Sequence, residues 1–267
     1  MSPPDAEGLT RDAFLGGRIT LLQPRRGYRA ATDPVLLAAF TPARAGDAVL
    51  DLGCGAGAAS LCLAARVPGL DLHGLEIQPF YADLARRNAA LNGLPLTVHE
   101  GDLRAMPRPL RARSFDLVLT NPPFHDAAGS ASPEPGRATA HAETTPLADW
   151  IDAALRRLRP GGTLVLVHRA CRLGTILAGL EGRAGGAEIL PLAGRAGRPA
   201  GRVLVRARKA SRAPLRLHPP FCLHAGGAHA AEGGRFTWQA EQVLRHMQPL
   251  LLDTSYGGIR EEDDNLG

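Results

Sequence analysis

The sequence predicts an α/β protein whose parallel sheet carries an antiparallel pair at one edge, with extensions at both ends. Three observations lead there. Short apolar runs alternate with amphipathic segments from Ala48 to about residue 210, the rhythm of strands joined by helical crossovers. A glycine-rich turn, Gly53 to Gly57, follows the first of these runs directly. The last two runs are joined by a Gly- and Arg-rich stretch too short to hold a helix, so they must pair antiparallel.

The elements follow in order. Residues 1 to about 14 read as a flexible lead, and FLGGRITLLQP, alternating around Gly16 and Gly17, reads as a hairpin. Asp33 and Pro34 open the helix PVLLAAF, with Asp as N-cap and Pro at the first helical position. Strands are expected at 48–52, 70–76, 96–102, 115–121, 163–169, 187–193 and 202–208. Helices are expected at 59–67, at 80–93 with an Asn92-Gly93 stop, at 146–162 with a Pro-Gly-Gly stop, and near 172–182. After Ala210 the chain turns Pro-, His- and Gly-rich, with one helix around 237–247 and an acidic tail. The expected organisation is an extension over 1–45 packing on a cofactor site, a main domain over 46–210, and a second extension over 211–267.

Composition narrows the class. The chain has 267 residues, 45% of them apolar and 21% charged, enough for a large core. It has no apolar run of about 18 residues and no signal-peptide core, so the expected location is the cytoplasm, without a membrane. Cys54, Cys62, Cys171 and Cys222 form no CxxC pair, and no Cys/His set has zinc spacing. They read as buried free thiols, with no metal implied. The net charge is +5, and of 31 basic residues only Lys209 is lysine. No acid occurs from Ile189 to Ala230, a stretch holding Arg195, Arg198, Arg202, Arg206, Arg208, Lys209, Arg212 and Arg216. Smaller groups are Arg25, Arg26, Arg29 and Arg104, Arg108, Arg111, Arg113. The guanidinium fork suits phosphates, so Arg195, Arg198, Arg202, Arg206, Arg208 and Lys209 are candidate RNA contacts.

A cofactor site is expected at the carboxyl ends of the first strands. Gly53, Gly55 and Gly57 permit positive φ and close approach of a ligand to the backbone. The same stretch satisfies G-x-G-x-x-A, so the loop alone also fits a dinucleotide enzyme. Three acids at consecutive strand ends sharpen the reading. Asp51 precedes the loop and can hold a cationic group or its water shell. Glu76 can accept two ribose hydroxyls. Asp102 or its neighbours can meet an adenine amine. With acids crowding the loop and no pyrophosphate clamp, cationic, phosphate-free S-adenosylmethionine fits better than NAD.

A reaction site is expected after the fourth strand, at Asn121-Pro122-Pro123-Phe124. Asn-Pro-Pro is a stiff elbow that aims the Asn121 amide oxygen and the Pro122 carbonyl at one point. Two uncharged acceptors placed for the two N–H bonds of a conjugated NH₂ favour a pyramidal nitrogen and free its lone pair. Asn121 also borders the cofactor. Phe124 can stack on a planar target, and His125 and Asp126 can orient it.

DLGCGAG, the acid of GLE, the GDL turn and NPPF, in this order, resemble class I S-adenosylmethionine-dependent amino-methyltransferases. QPRRGYRAATDPVLLAAF ahead of the loop, PLADWIDAALRRLRPGG and GRAGRPAGRVLVRARK extend the resemblance over about residues 11–210, to the bacterial tRNA-Val (adenine-N6)-methyltransferase family. The resemblance implies a Rossmann-like, seven-stranded sheet in the order 3-2-1-4-5-7-6 and methyl transfer to N6 of a tRNA adenine. It implies Asp51, Gly53, Gly55, Glu76 and Asp102 as cofactor contacts and Asn121 to Phe124 as the target-amine site. Tyr28, Arg29 and Asp33 match a pre-loop segment that closes over the methionine end. NPPF followed by His is also similar to ribosomal RNA guanine-N2 methyltransferases. A protein glutamine-N5 methyltransferase uses the same Asn-Pro-Pro logic, and a silent RNA-binding module is the non-enzymatic alternative. Oligomeric state has no signature in the sequence.

Overall fold

The structure, a computed structural model, describes residues 8–124, 145–226, 235–250 and 252. The 125–141 loop with His125 and Asp126, and the acidic tail, lie outside the described residues. The amino-terminal part is not all lead. Leu9–Phe14 (β1) pairs antiparallel with Ile19–Pro24 (β2) across a 3-10 turn, so the hairpin begins before FLGG. Gly16 sits in that turn at φ +66, and a Cβ there would stand 2.7 Å from the Arg245 carbonyl oxygen.

The main sheet contains β3 (Ala48–Leu52), β4 (Asp71–Glu76), β5 (Thr97–Glu100), β6 (Phe115–Thr120), β7 (Leu158–Arg169), β8 (Ala184–Ala193) and β9 (Ala200–Lys209). They stand in the order β5-β4-β3-β6-β7-β9-β8, the order that the resemblance implied. β9 runs antiparallel between β7 and β8. Two short strands that the sequence did not announce, β10 (Arg216–Leu217) and β11 (Phe221–Cys222), add to β8 in parallel.

Helices cover both faces because the buried strands are apolar on both sides. Val49, Leu117, Leu119, Val165 and Val167 point to one face, with α1 (Thr32–Phe40), α2 (Ala58–Arg66) and α7 (Trp238–His246). Leu50, Leu52, Val118, Leu164 and Leu166 point to the other, with α5 (Leu147–Arg157) and α6 (Leu173–Leu180). α3 (Pro79–Asn92) follows β4, and one turn, α4 (Arg108–Arg111), precedes β6. α5 ends at Arg157, five residues before the expected stop. Pro160, Gly161 and Gly162 belong instead to the start of β7, where its register against β6 shifts. A Cβ on Gly162 would meet the Asp116 carbonyl oxygen at 2.9 Å, so glycine lets that irregular crossing close.

α3 holds the hairpin through two asparagines one helical turn apart. The Asn88 amide oxygen accepts from Leu22 N at 2.7 Å, and its nitrogen donates to Leu22 O and to Ala56 O. Asn92 pairs in the same way with the backbone of Thr20. Four helical residues rise about 6.0 Å and two strand residues about 6.6 Å, so the helix supplies amides at nearly the pitch of a strand edge.

The thiols differ from expectation. Cys54 and Cys62 are buried, but Cys171 is exposed and Cys222 half-buried. Cys171 stands in a 3-10 turn after β7 rather than on a core face. None of the helices among the described residues is long and apolar enough to cross a membrane.

On the other side of the sheet edge His73 (β4) and His99 (β5) stack with ring nitrogens 3.1 Å apart, and His73 also meets Asp71. Burial holds both imidazoles below the ordinary histidine value; Asp71 opposes this at His73, and the charges of His73, Arg113 and Arg86 reinforce it at His99. A base with a depressed folded pKa stabilises the fold above its unfolded pKa of about 6.5 and loses that contribution as pH falls. The melting temperature is therefore expected to drop between about pH 7 and pH 5, and His99→Gln to flatten that dependence. An unchanged slope in the variant counts against the pair as the source.

Candidate active site

The glycine loop is shaped by what surrounds it. Gly53, Gly55 and Gly57 have φ of +70, +54 and +86. The N–H groups of Gly53 and Cys54 both donate to Leu75 O, tying the loop to the end of β4. A Cβ on Gly53 would stand 2.6 Å from the rigid Trp150 ring, and one on Gly57 would press Leu96 at 3.3 Å. At Gly55 the nearest atom to such a Cβ is in the Tyr28 ring, at 3.7 Å, so this is the open side of the loop. Gly57 precedes α2, whose amino end therefore faces the same space.

Asp51 and Glu76 are buried at adjacent strand ends. Asp51 accepts from the Ser60 hydroxyl at 2.6 Å. Burial pushes its carboxyl up to about 7, the Ser60 hydrogen bonds pull against that, and the Glu76 charge adds to it. Glu76 accepts from Gly55 N and from Gln78 N, each at 2.9 Å. Burial raises its pKa and these backbone donors oppose the rise. Each carboxylate oxygen keeps lone-pair capacity, so Glu76 can brace the loop and still accept hydroxyls.

Asp102 departs from its expected part. β5 ends at Glu100, and Asp102 caps the following 3-10 turn by accepting from Arg104 N, while its carboxylate also pairs with the Arg104 guanidinium at 2.7 Å.

Asn121 follows β6 immediately, where the Thr120 hydroxyl donates to Leu52 O and pins β6 to β3. Its amide nitrogen donates to the Tyr28 hydroxyl at 3.3 Å. With the nitrogen so engaged, Oδ1 is left as the acceptor, the orientation needed to receive an amine. Pro122 is buried, and Phe124 packs edge-on against His168 of β7, ring centroids 5.1 Å apart. The sequence reading did not single out His168, Ser60 or Asn88. Each is a polar residue on an otherwise apolar face, and that was the available signal.

The pre-loop segment reaches this site. The Tyr81 hydroxyl donates to Tyr28 O, and the Tyr28 ring lies across the open side of the loop. The Tyr28 side chain is 53% exposed, but desolvation at its hydroxyl end, then the charges of Asp33 and Asp51, push the group up to about 12, so it stays a neutral hydrogen-bonding group. Asp33 is no N-cap. The cap position of α1 is Ala31, and the Asp33 carboxylate pairs with Arg202 of β9. Arg29 pairs with Asp12 of β1.

Half of the basic stretch is at least partly buried. Arg195 is buried and donates to Ala225 O. Arg202 holds Asp33, and Arg206 pairs with Glu188 while lying over the Phe40 ring. Lys209 donates to Leu158 O and Arg208 to Gly161 O. Arg198, Arg208, Arg212 and Arg216 are exposed. The absence of nearby acids in sequence concealed partners that α1 and neighbouring strands supply in space. This corrects the reading of Arg195, Arg202 and Arg206 as free phosphate contacts.

The comparisons agree with this geometry. Residues 31–179 match the methyltransferase small domain. A tRNA1(Val) (adenine(37)-N6)-methyltransferase of Porphyromonas gingivalis is 34% identical over 170 residues, 61% of this chain and 67% of that protein. A release factor glutamine methyltransferase of Geobacter sulfurreducens is 33% identical over 147 residues, 52% of this chain and 51% of that protein. A crystal structure described as a predicted O-methyltransferase of Agrobacterium tumefaciens superposes with a TM-score of 0.62 at 29% identity, covering 79% of this chain and 94% of that one. The residues fit the cofactor of that class: a loop open only at Gly55, an accepting carboxylate beside it, and a buried acid in place of a phosphate clamp. The chain belongs to the methyltransferase small domain family and is a class I methyltransferase whose cofactor is S-adenosylmethionine.

Proposed function

We propose that this chain methylates N6 of an adenine in a tRNA. The observation that carries the reading is Asn121, set at the end of β6 with its amide nitrogen held by Tyr28 and its oxygen left to accept. S-adenosylmethionine, when bound, supplies an electrophilic methyl group on a sulfonium. Gly53, Gly55 and Gly57 with Glu76 would hold it, and Asp51 would face its cationic end. The backbone beside Asp102 would border the adenine. Asn121 Oδ1 and the Pro122 carbonyl accept the two N–H bonds of the target amine, and Phe124 stacks on the base. No strong base is needed, because the nitrogen proton becomes acidic once the new N–C bond forms.

An RNA substrate accords with the net charge of +5 and with the P. gingivalis relative. The glutamine reading shares the amine chemistry and has the Geobacter relative behind it. The test offers methyl-labelled cofactor with two pools, unmodified small RNA and total protein. N6-methyladenosine in digested RNA is expected. N2-methylguanosine moves the target base, and label confined to protein overturns the RNA reading.

Asp51 gives this reading a pH signature. With its carboxyl at about 7 in the free protein, a cation bound beside it draws off the proton. Cofactor affinity is therefore expected to rise by up to about tenfold from pH 6 to pH 8, measured by calorimetry. Asp51→Asn should bind more weakly and lose the dependence. A flat profile in the unaltered protein contradicts this placement of the charge.

A further inference from the structure

Beside the hairpin lies a groove of about 310 Å³ that the reaction described above does not use, lined by Gly8, Leu9, Pro24, Arg25, Arg26 and Phe80. Phe80 is 53% exposed although it sits in the first turn of α3, locked after Pro79. Arg25 and Arg26 are exposed, and among the described residues no acid pairs with either. This sets them apart from Arg202 and Arg206 of β9, which hold acids. Arg25 N donates to Gly8 O, which fixes the rim of the groove to β1.

An aromatic series connects this groove to the reaction site. Phe80 meets Tyr81 edge to face at 5.3 Å, Tyr81 meets Tyr28 at 6.3 Å, and the Tyr28 hydroxyl receives the Asn121 amide. A flat, exposed ring sharing one groove with two arginines fits a base with its phosphates. An acidic peptide would satisfy the arginines but give the ring no planar partner.

We propose that this groove holds a nucleotide next to the target base in the same RNA strand, with Phe80 stacked on its base and Arg25 and Arg26 on the phosphates at either side. The proposal rests on the RNA reading above. It locates part of the RNA footprint on the hairpin, away from the β9 stretch.

The test measures methylation of an unmodified small-RNA pool at several salt concentrations, together with cofactor affinity by calorimetry. Phe80→Ala is expected to raise KM for RNA by roughly five- to a hundredfold with the salt slope unchanged, and Phe80→Trp to restore it. Arg25→Ala with Arg26→Ala should reduce the slope of log KM against log salt by about 1.4, near 0.7 for each phosphate contact. Cofactor Kd should stay at the unaltered protein's value in all of them, which also shows that the variants fold. RNA methylation with KM and salt slope unmoved in the variants overturns the groove alone. So does a weakened cofactor Kd without an RNA effect, which would give the groove to the cofactor. No label in RNA from the unaltered protein overturns the RNA reading, and the groove with it.

Discussion

Asn121→Ala is expected to lower turnover by about 10²- to 10³-fold, the usual loss when one preorganised hydrogen-bonding group is removed from a site of charge development. The argument rests on timing. An exocyclic amine has little lone-pair density until its two N–H bonds are held out of the ring plane, and one of the two acceptors proposed to hold them is Asn121 Oδ1. That contact strengthens as the nitrogen pyramidalises, so its loss falls on kcat more than on KM. Cofactor affinity should change by less than about threefold, because the loop is held by Leu75, Glu76 and Asn88 instead. Tyr28→Phe removes only the hydroxyl that orients the amide and should cost about tenfold in kcat. Single-turnover rates with calorimetry of the cofactor check both. A variant that loses cofactor affinity while keeping turnover contradicts the assignment.

The second large effect is expected in stability. Asn88 is fully buried and its amide makes three hydrogen bonds, to Leu22 N, Leu22 O and Ala56 O. Asn88→Ala leaves three buried backbone groups without partners, each costing about 1–3 kcal/mol, less whatever water enters the space. A net loss of about 4 kcal/mol is expected, a fall of roughly 10 °C in Tm for a chain of this size. Asn88→Asp keeps the acceptor toward Leu22 N but sets a carboxylate against two carbonyl oxygens, and should be no better than alanine. The loop residue Ala56 is released in either variant, so cofactor binding should weaken too. Calorimetric melting and cofactor titration read the two effects separately. A stable Asn88→Ala protein would show that hairpin and helix are held by apolar packing alone.

These two residues mark what the sequence makes legible. Asn121 was readable because its setting is local: a strand, then Asn-Pro-Pro-Phe, whose stiffness is written in the prolines. The glycine loop, Asp51 and Glu76 were readable for the same reason. Asn88 was not, because its partners lie 66 and 32 residues away and only its position on an apolar helix face hinted at them. The arginines of β9 misled in the opposite direction. A run of 42 residues without an acid (189–230) looks uncompensated along the chain, yet Asp33 and Glu188 stand beside Arg202 and Arg206 in space. Asp102 stands two residues past its strand, where a side chain is free to cap the next turn. The parallel additions β10 and β11 span two residues each, too short for any periodicity.

The two asparagines of α3 have a further consequence for how this protein behaves among copies of itself. β2 has one edge paired with β1, and the N–H and C=O groups of Thr20 and Leu22 face away from it. Such an edge is a template on which a strand from another molecule can add, the first step toward swapped dimers or aggregates. Asn88 and Asn92 fill those positions with side-chain amides, so the hairpin ends in a helix where an additional strand would otherwise grow.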